Sequence, residues 1–265
     1  MRATTFALVL VLLMAGSAVA QDQEWAEYQN NQEGFKIDFP GQPKVTETTW
    51  MAEHDYVLPA RVYSAERGRE RYSVTVVDYN PLEQQGIERL KKCAVGAEPC
   101  IGSELSGPAY WKHVVRGALI WATFKYFQRD GSKVTSYMWN HQDLVEGHQI
   151  QMTNADQSRT FAFITMRENK LLAVEGTVPK GYPPPALFQN SMGFVDKDGN
   201  GIRYQTIYSN EIYGLGDREA PAHGGGGAAG AGGRGGGRGG RGAGAGRGVG
   251  APAGGADAPA PGAGR

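Results

Sequence analysis

One short segment of the sequence gathers side chains that could bind a metal ion. Segment 141–148 reads HQDLVEGH and contains two imidazoles and two carboxylates, which zinc and other divalent ions accept as ligands. On a strand, His141 and Asp143 would share one face, and His148 would join them only if the chain bends at Gly147. The spacing matches no known ligand motif. Two interpretations stay open: the metal site of a metal-dependent hydrolase, or a solvated loop, which the pattern favours.

A second segment resembles the first half of a calcium-binding loop. Asp196, Asp198 and Asn200 place oxygen-bearing side chains at alternate positions, as such a loop requires. The bidentate acid of the twelfth position is missing, because Ile207 stands there. We therefore expect a polar turn, with a low-affinity extracellular calcium site as the alternative.

The sequence assigns no catalytic residue. It lacks a serine in a Gly-x-Ser-x-Gly turn. Ser158 and Thr160 lie in a turn-like segment without a nearby histidine to act as base. No pair of carboxylates stands out among the 27 acidic residues. We expect a protein that is not an enzyme and that needs no cofactor, unless one of the two segments above binds calcium or zinc.

The first twenty residues have the layout of a cleavable secretory signal peptide. Arg2 precedes an apolar stretch from Phe6 to Met14, and small residues lead up to Ala20. The apolar stretch is about half as long as the roughly 20 residues that a membrane-spanning helix needs. We predict cleavage between Ala20 and Gln21, no transmembrane anchor after cleavage, and a location in the periplasm or outside the cell.

The two cysteines, Cys93 and Cys100, have a glycine and a proline between them that can turn the chain back. In an oxidising compartment this spacing predicts a local disulfide bond. A metal or redox pair would favour closer spacing and further ligands nearby. Closing so short a loop stabilises the fold by about 2–3 kcal/mol, so the disulfide would fix one connection only.

Residues 222–265 form a tail of Gly, Ala, Pro and Arg, which has too few large apolar side chains to fold. The tail carries five arginines against one aspartate, whereas residues 21–221 carry 21 basic and 26 acidic side chains. Its Arg-Gly runs resemble those of RNA-binding proteins. Export and the absence of interleaved aromatics argue against a nucleic-acid partner. We expect a disordered tail that contacts anionic envelope surfaces, or a plain spacer.

The elements that would position these residues follow from the hydrophobic pattern. Apolar and polar residues alternate in runs that predict strands, at 35–39, 43–50, 57–65, 72–79, 122–128, 133–139, 145–153, 160–167 and 171–178. A capping residue before Pro81 predicts a helix over 81–92, and helical spacing favours helices over 111–120 and 186–194. The fold class is α+β: a mostly antiparallel sheet of roughly seven to nine strands with two or three helices.

Asp130-Gly131 predicts a tight hairpin turn between strands 122–128 and 133–139. Aromatic residues gather around this hairpin, and they include Trp111, Trp121, Tyr126, Phe127, Tyr137 and Trp139. In a layered domain most of them should be covered by helices. Those that alternation turns outward would suit contact with a sugar or a protein.

Two motifs resemble a known family. Gly34 to Pro43 reads GFKIDFPGQP, a strand that ends in Phe-Pro-x-x-Pro, and Pro185 to Phe194 contains a helix with Phe188 and Ser191 in a Phe-x-x-Ser pattern. Both are similar to the opening and closing motifs of PsbP-like domains of exported bacterial proteins. The resemblance covers residues 34–195 and implies a binding or assembly module without shared catalytic residues.

These observations divide the chain into a signal peptide (1–20), a lead-in (21–33), one α+β domain (34–221) and a disordered tail (222–265). We predict an exported, noncatalytic envelope protein that binds an unidentified envelope protein or small ligand. The alternative is the metal-dependent hydrolase that would use the segment from His141 to His148.

Overall fold

A computed structural model describes residues 24–92 and 111–215 of the protein. The predicted signal cleavage at Ala20 and Gln21, the disulfide between Cys93 and Cys100, and the tail lie outside these residues. Within them, two antiparallel sheets and a few helices form an α+β fold. The predicted fold class is confirmed.

The larger sheet has seven strands, all paired in antiparallel fashion. They are β3 (Lys44–Met51), β4 (Val57–Arg67), β5 (Glu70–Asp78), β6 (Lys133–Gln142), β7 (Val145–Thr153), β8 (Arg159–Arg167) and β9 (Lys170–Val178). Their order in the sheet is β3-β4-β5-β9-β8-β7-β6. The seven alternating runs that predicted them were therefore sufficient to find each strand of this sheet.

A smaller sheet is formed by β1 (Trp25–Asn30), β2 (Phe35–Pro40), β10 (Gly193–Val195) and β11 (Gly201–Ile202), in the order β1-β2-β10-β11. Strand β1 lies in the stretch predicted as a lead-in and pairs with β2 along its whole length. The ordered structure thus begins before Gly34.

Four α-helices and one short 3₁₀ helix are present in the part of the chain that the structure describes. They are α1 (Leu82–Lys91), α2 (Trp111–Phe127), α3 (Ala186–Ser191) and α4 (Asn210–Tyr213), with the 3₁₀ helix at Glu53–Asp55. The predicted helices over 81–92 and 186–194 correspond to α1 and α3.

The prediction of a strand at 122–128 is wrong, because helix α2 continues through these residues to Phe127. Ala118, Ala122 and Tyr126 are buried, whereas Ile120 and Phe124 between them are exposed. On a strand all five would share one face, so this pattern is that of a helix. Gly131 still has a positive φ of 68°, but its turn joins α2 to β6. The aromatic residues of this region therefore lie on a helix and a strand instead of on a hairpin.

The large sheet is covered on both faces. On one face, α1, α2 and the 3₁₀ helix enclose a core that includes Tyr56, Tyr79, Ile150 and Ile164. On the other face, the small sheet and α3 enclose a second core. In it Phe188 of α3 lies 5.3 Å from Phe39 and 5.1 Å from Tyr72, measured between ring centroids. Full burial of each such side chain stabilises the fold by about 1.5–3 kcal/mol.

Candidate functional site: an exposed aromatic surface

Five large side chains on α2 and β6 face solvent. We call them the aromatic surface: Ile120, Phe124 and Phe127 of the helix, with Tyr137 and Trp139 of the strand. Between 46% and 68% of each residue is exposed. Single exposed apolar residues are ordinary, but a group of them on adjoining elements marks a contact surface.

Helix α2 presents this surface because it is apolar on two sides. Its inner side buries Val114, Ala118 and Ala122 against the sheet. Ile120, Phe124 and Phe127 are four and three residues apart, which puts them on one line along the outer side. A surface helix of a globular protein normally carries polar residues there. The packing of residues 24–92 and 111–215 therefore does not explain the apolar outer side of α2.

Ring contacts join the helix to the strand. Phe127 meets Tyr137 edge to face, with 5.5 Å between the ring centroids and 79° between the ring planes. Trp139 meets His141 in the same manner at 5.7 Å. Such pairs are worth about 0.5–1.5 kcal/mol beyond the area they bury, and they restrict the movement of the rings.

Strand β6 also offers backbone groups. It is the last strand of the large sheet and pairs only with β7 among the described strands. An edge strand carries a row of unpaired N–H and C=O groups that can accept another strand. Tyr137 and Trp139 lie on the same strand as this open edge, so a single extended segment could contact both.

His148 lies beneath the surface, opposite Trp139 in the pairing of β6 and β7. The Thr123 hydroxyl donates to the Leu119 carbonyl at 2.8 Å and lies 2.7 Å from Nδ1 of His148, while the Tyr137 hydroxyl lies 3.3 Å from the same nitrogen. Burial lowers the pKa of His148, and the charge of Glu146 opposes that shift. The imidazole is therefore neutral at pH 7 and fixes α2 to the sheet.

The structure does not gather His141, Asp143 and His148 into one set of ligand atoms. Asp143 lies in the turn between β6 and β7 and forms an ion pair with Arg203 at 3.5 Å. His141 packs on Trp139 and His148 on Thr123. Across residues 24–92 and 111–215, three ligand atoms come together elsewhere, at Glu53, His54 and His113. Sequence spacing could not reveal that cluster, because 58 residues lie between His54 and His113 in the chain.

Asp196, Asp198 and Asn200 form the polar turn between β10 and β11. Oδ1 of Asp196 accepts the backbone N–H groups of Asp198 at 2.9 Å and Asn200 at 2.8 Å, and the Asn200 side-chain amide donates to the same carboxylate. These hydrogen bonds, first of all those from Asn200, lower the pKa of Asp196. A calcium ion would have to compete with them for the carboxylate oxygens.

A hydroxyl-rich groove of about 540 Å³ lies beside the end of α2. Its polar groups already bond to one another: Thr160 to Thr177 at 2.8 Å, and Arg129 to Glu175 through two hydrogen bonds of 2.8 and 3.1 Å. Among the described residues, the side-chain amide of Gln189 is the one buried polar group without a partner, and it does not line this groove. The groove thus makes a weaker case for a binding site than the aromatic surface.

No helix in the described part of the chain is long and apolar enough to span a membrane. This holds for α2 despite its two apolar sides.

Comparison with known proteins bears on the fold. No protein-family model and no curated protein matches the chain. The structure is similar to the solution structure of cyanobacterial PsbP (CyanoP) from Synechocystis sp. PCC 6803, with a TM-score of 0.38 and 9% sequence identity, over 69% of this chain and 99% of that one. That protein is of the kind that the motifs at 34–43 and 185–194 resemble. The similarity concerns the backbone fold, and no activity, ligand or residue role follows from it.

Proposed function

We propose that this protein is an exported, noncatalytic binding protein of the cell envelope, whose folded domain docks a partner protein through the aromatic surface and the open edge of β6. The observation that carries the proposal is the exposure of Phe127, Tyr137 and Trp139 beside a strand edge that pairs with no other described strand. Tyrosine, tryptophan and phenylalanine are enriched in the buried centres of protein interfaces.

The chemistry of the surface favours a protein over a small molecule. The aromatic surface lies on the outer side of a helix and on an edge strand, whereas small-molecule sites are concave and enclose their ligand. A cavity beside it that His148 lines measures about 170 Å³, below the roughly 300 Å³ of a usual ligand pocket. It has room for a partner side chain between α2 and β7.

Site-specific cross-linking in the native envelope tests this function. A photoreactive phenylalanine at position 139 should cross-link a discrete partner, whereas the same group at Tyr182, which is 42% exposed on a different part of the domain, should not. Trp139→Ala combined with Phe127→Ala should abolish a cross-link made from position 124. Equal cross-linking from positions 139 and 182 would refute a specific docking surface.

Export is proposed from residues 1–20 alone. It predicts that the protein in the envelope fraction begins at Gln21, which N-terminal mass analysis of the purified chain measures. A chain that keeps Met1 and stays in the cytoplasm would contradict the proposed location and leave the docking surface to be tested by itself.

A further inference from the structure

Glu53, His54 and His113 come together from two elements that are distant in sequence. We propose that they form a binding site for a zinc-class divalent transition metal ion, independent of the docking surface. Glu53 and His54 belong to the 3₁₀ helix and His113 to the first turn of α2. One ligand atom from each residue lies within 4.8 Å of the other two.

The distances are close to those that an ion would require. Nε2 of His113 lies 3.8 Å from Oε2 of Glu53, and Nε2 of His54 lies 4.0 Å from Oε1 of the same carboxylate. The imidazole centroids are 5.7 Å apart. Tetrahedral zinc with bonds of about 2.0–2.2 Å places its ligand atoms roughly 3.3–3.5 Å from one another. Side-chain rotations that move each ligand atom by about 1 Å would bring the three atoms to these distances.

The 3₁₀ side of the site is fixed by contacts of its backbone. Both His54 and Asp55 have positive φ, at 56° and 58°, a conformation that non-glycine residues rarely adopt. The Arg89 guanidinium donates to the carbonyls of these two residues at 2.7 and 2.8 Å and stacks on the Tyr56 ring at 3.6 Å. The imidazole of His54 is thus directed by a loop that α1 holds in place.

The α2 side of the site leaves room for the carboxylate. Gly117 lies one turn after His113, and a Cβ atom at this position would stand 2.9 Å from Oε2 of Glu53. The missing side chain lets Glu53 lie against the helix. The side chains of His54, His113 and Glu53 are 39%, 52% and 29% exposed, so an ion can enter from solvent and keep a water molecule.

The ligand set selects the class of metal. Two imidazole nitrogens and one carboxylate oxygen suit zinc and its first-row neighbours, whereas calcium and magnesium prefer sites made of oxygen alone. Three protein ligands leave a fourth position for water. The structure thus assigns an open site of low net charge that joins the 3₁₀ helix to α2.

Titration of the chelator-treated mature protein with cobalt(II) and zinc(II) tests the site. Cobalt should give the visible absorption bands of a tetrahedral site at one equivalent, and zinc should displace it. His113→Ala and Glu53→Gln should each weaken binding at least about 10-fold. Gly117→Ala should also weaken it, because the added methyl group displaces the carboxylate. His141→Ala, which removes an exposed histidine elsewhere, should bind as wild type.

Two further variants keep the test decisive. His54→Asn tolerates the positive φ and should melt like the wild type while losing the imidazole ligand and the cobalt bands. Cys93→Ser with Cys100→Ser should retain binding, which rules out a thiolate site. Absence of saturable binding, or affinity unchanged in His54→Asn and His113→Ala, would overturn the proposal.

Discussion

His148 makes the stability of the domain depend on pH. Burial lowers its pKa in the folded protein, so the unfolded chain binds the proton more readily. The contribution of the neutral imidazole to the unfolding free energy is therefore fully present at neutral pH. It is lost as the pH falls below the ordinary histidine pKa of about 6.5. We predict that urea unfolding at pH 7.5 and pH 5.5 shows a larger loss of unfolding free energy for the wild type than for His148→Gln.

His141→Gln is the matched control for this prediction. His141 is exposed on β6 and packs on Trp139, and its variant should show the wild-type loss between the two pH values. If His148→Gln and the wild type lose equal stability, the link through His148 is disproved.

Glu33 holds two cations against the face of the sheet that carries the second core. Its carboxylate lies 2.5 Å from Nη1 of Arg61 and 3.3 Å from Nζ of Lys170, and the side chain is 8% exposed. Removing one partner of a buried charged hydrogen bond costs about 1.5–3 kcal/mol. We predict that Glu33→Ala lowers the unfolding free energy by that amount in a urea titration.

Glu47 provides a comparison on the same arginine. It lies 3.4 Å from Nε of Arg61 with 80% of its side chain exposed, and exposed ion pairs contribute about 0–1 kcal/mol. Glu47→Ala should therefore change stability by less than about 0.5 kcal/mol. A cost as large as that of Glu33→Ala would show that burial does not set the strength of these pairs.

At the scale of elements, the strands could be predicted and the full length of α2 could not. Alternation found the seven strands of the large sheet, and the five strands between its edges each have at least one buried face. The edge strands β3 and β6 alternate although neither contains a fully buried residue. Phe124 and Phe127 are large apolar residues on the outer side of α2, and they hide the helical period that Ala118, Ala122 and Tyr126 carry on the inner side. The feature that obscured the helix is the same feature that makes its outer side a candidate contact surface.

The candidate sites also differ in how far the sequence could predict them. Proximity in the sequence suggested that His141, Asp143 and His148 form one metal site. In the structure Asp143 lies in the turn between β6 and β7, and His148 lies under α2, so the three do not meet. The cluster of Glu53, His54 and His113 depends on the packing of α2 beside the 3₁₀ helix. Local spacing contains no information about that approach. Trp139 and Phe127 were recognised as aromatic, but their exposure became evident only with the layer arrangement.

Gly147 of β7 lies very close to strand β8. A Cβ atom at this position in β7 would stand 2.5 Å from the backbone oxygen of Ile164 and 2.7 Å from the Phe163 ring. Neither neighbour can move without shifting β8. We predict that Gly147→Ala destabilises the domain by about 1–3 kcal/mol, the usual cost of overpacking, in chemical denaturation.

Gly201 is the control for that substitution. It begins β11, and no atom lies within 4 Å of a Cβ placed on it. Gly201→Ala should leave stability within about 0.5 kcal/mol of the wild type. A loss matching that of Gly147→Ala would mean that backbone conformation, and not the close approach to β8, decides the effect.

At the scale of the whole molecule, the central strands of the large sheet are covered on both faces. Helix α2 closes one core and the small sheet with α3 closes the other. Both cores are therefore enclosed by residues within 24–92 and 111–215. The aromatic surface lies outside both cores, and a partner bound there would add to a finished fold. Substitutions on this surface should weaken docking strongly while lowering the melting temperature only by the few degrees that the lost ring pairs account for.

The distribution of charge along the chain leads to a prediction for the tail. Residues 222–265 carry five arginines and one aspartate, while residues 21–221 carry five more acidic than basic side chains. An anionic membrane surface attracts the first group and repels the second, by about 1 kcal/mol per basic residue near the surface. We predict that residues 21–265 bind vesicles rich in anionic lipid at 20 mM salt (roughly a 20 Å screening length) and release them at about 0.5 M salt.

Residues 21–221 should not bind under either condition. Replacing the five tail arginines by glutamine keeps the length and the glycine content of the tail and should abolish binding. Binding that survives the replacement would assign the membrane contact to the folded domain and leave the tail as a spacer.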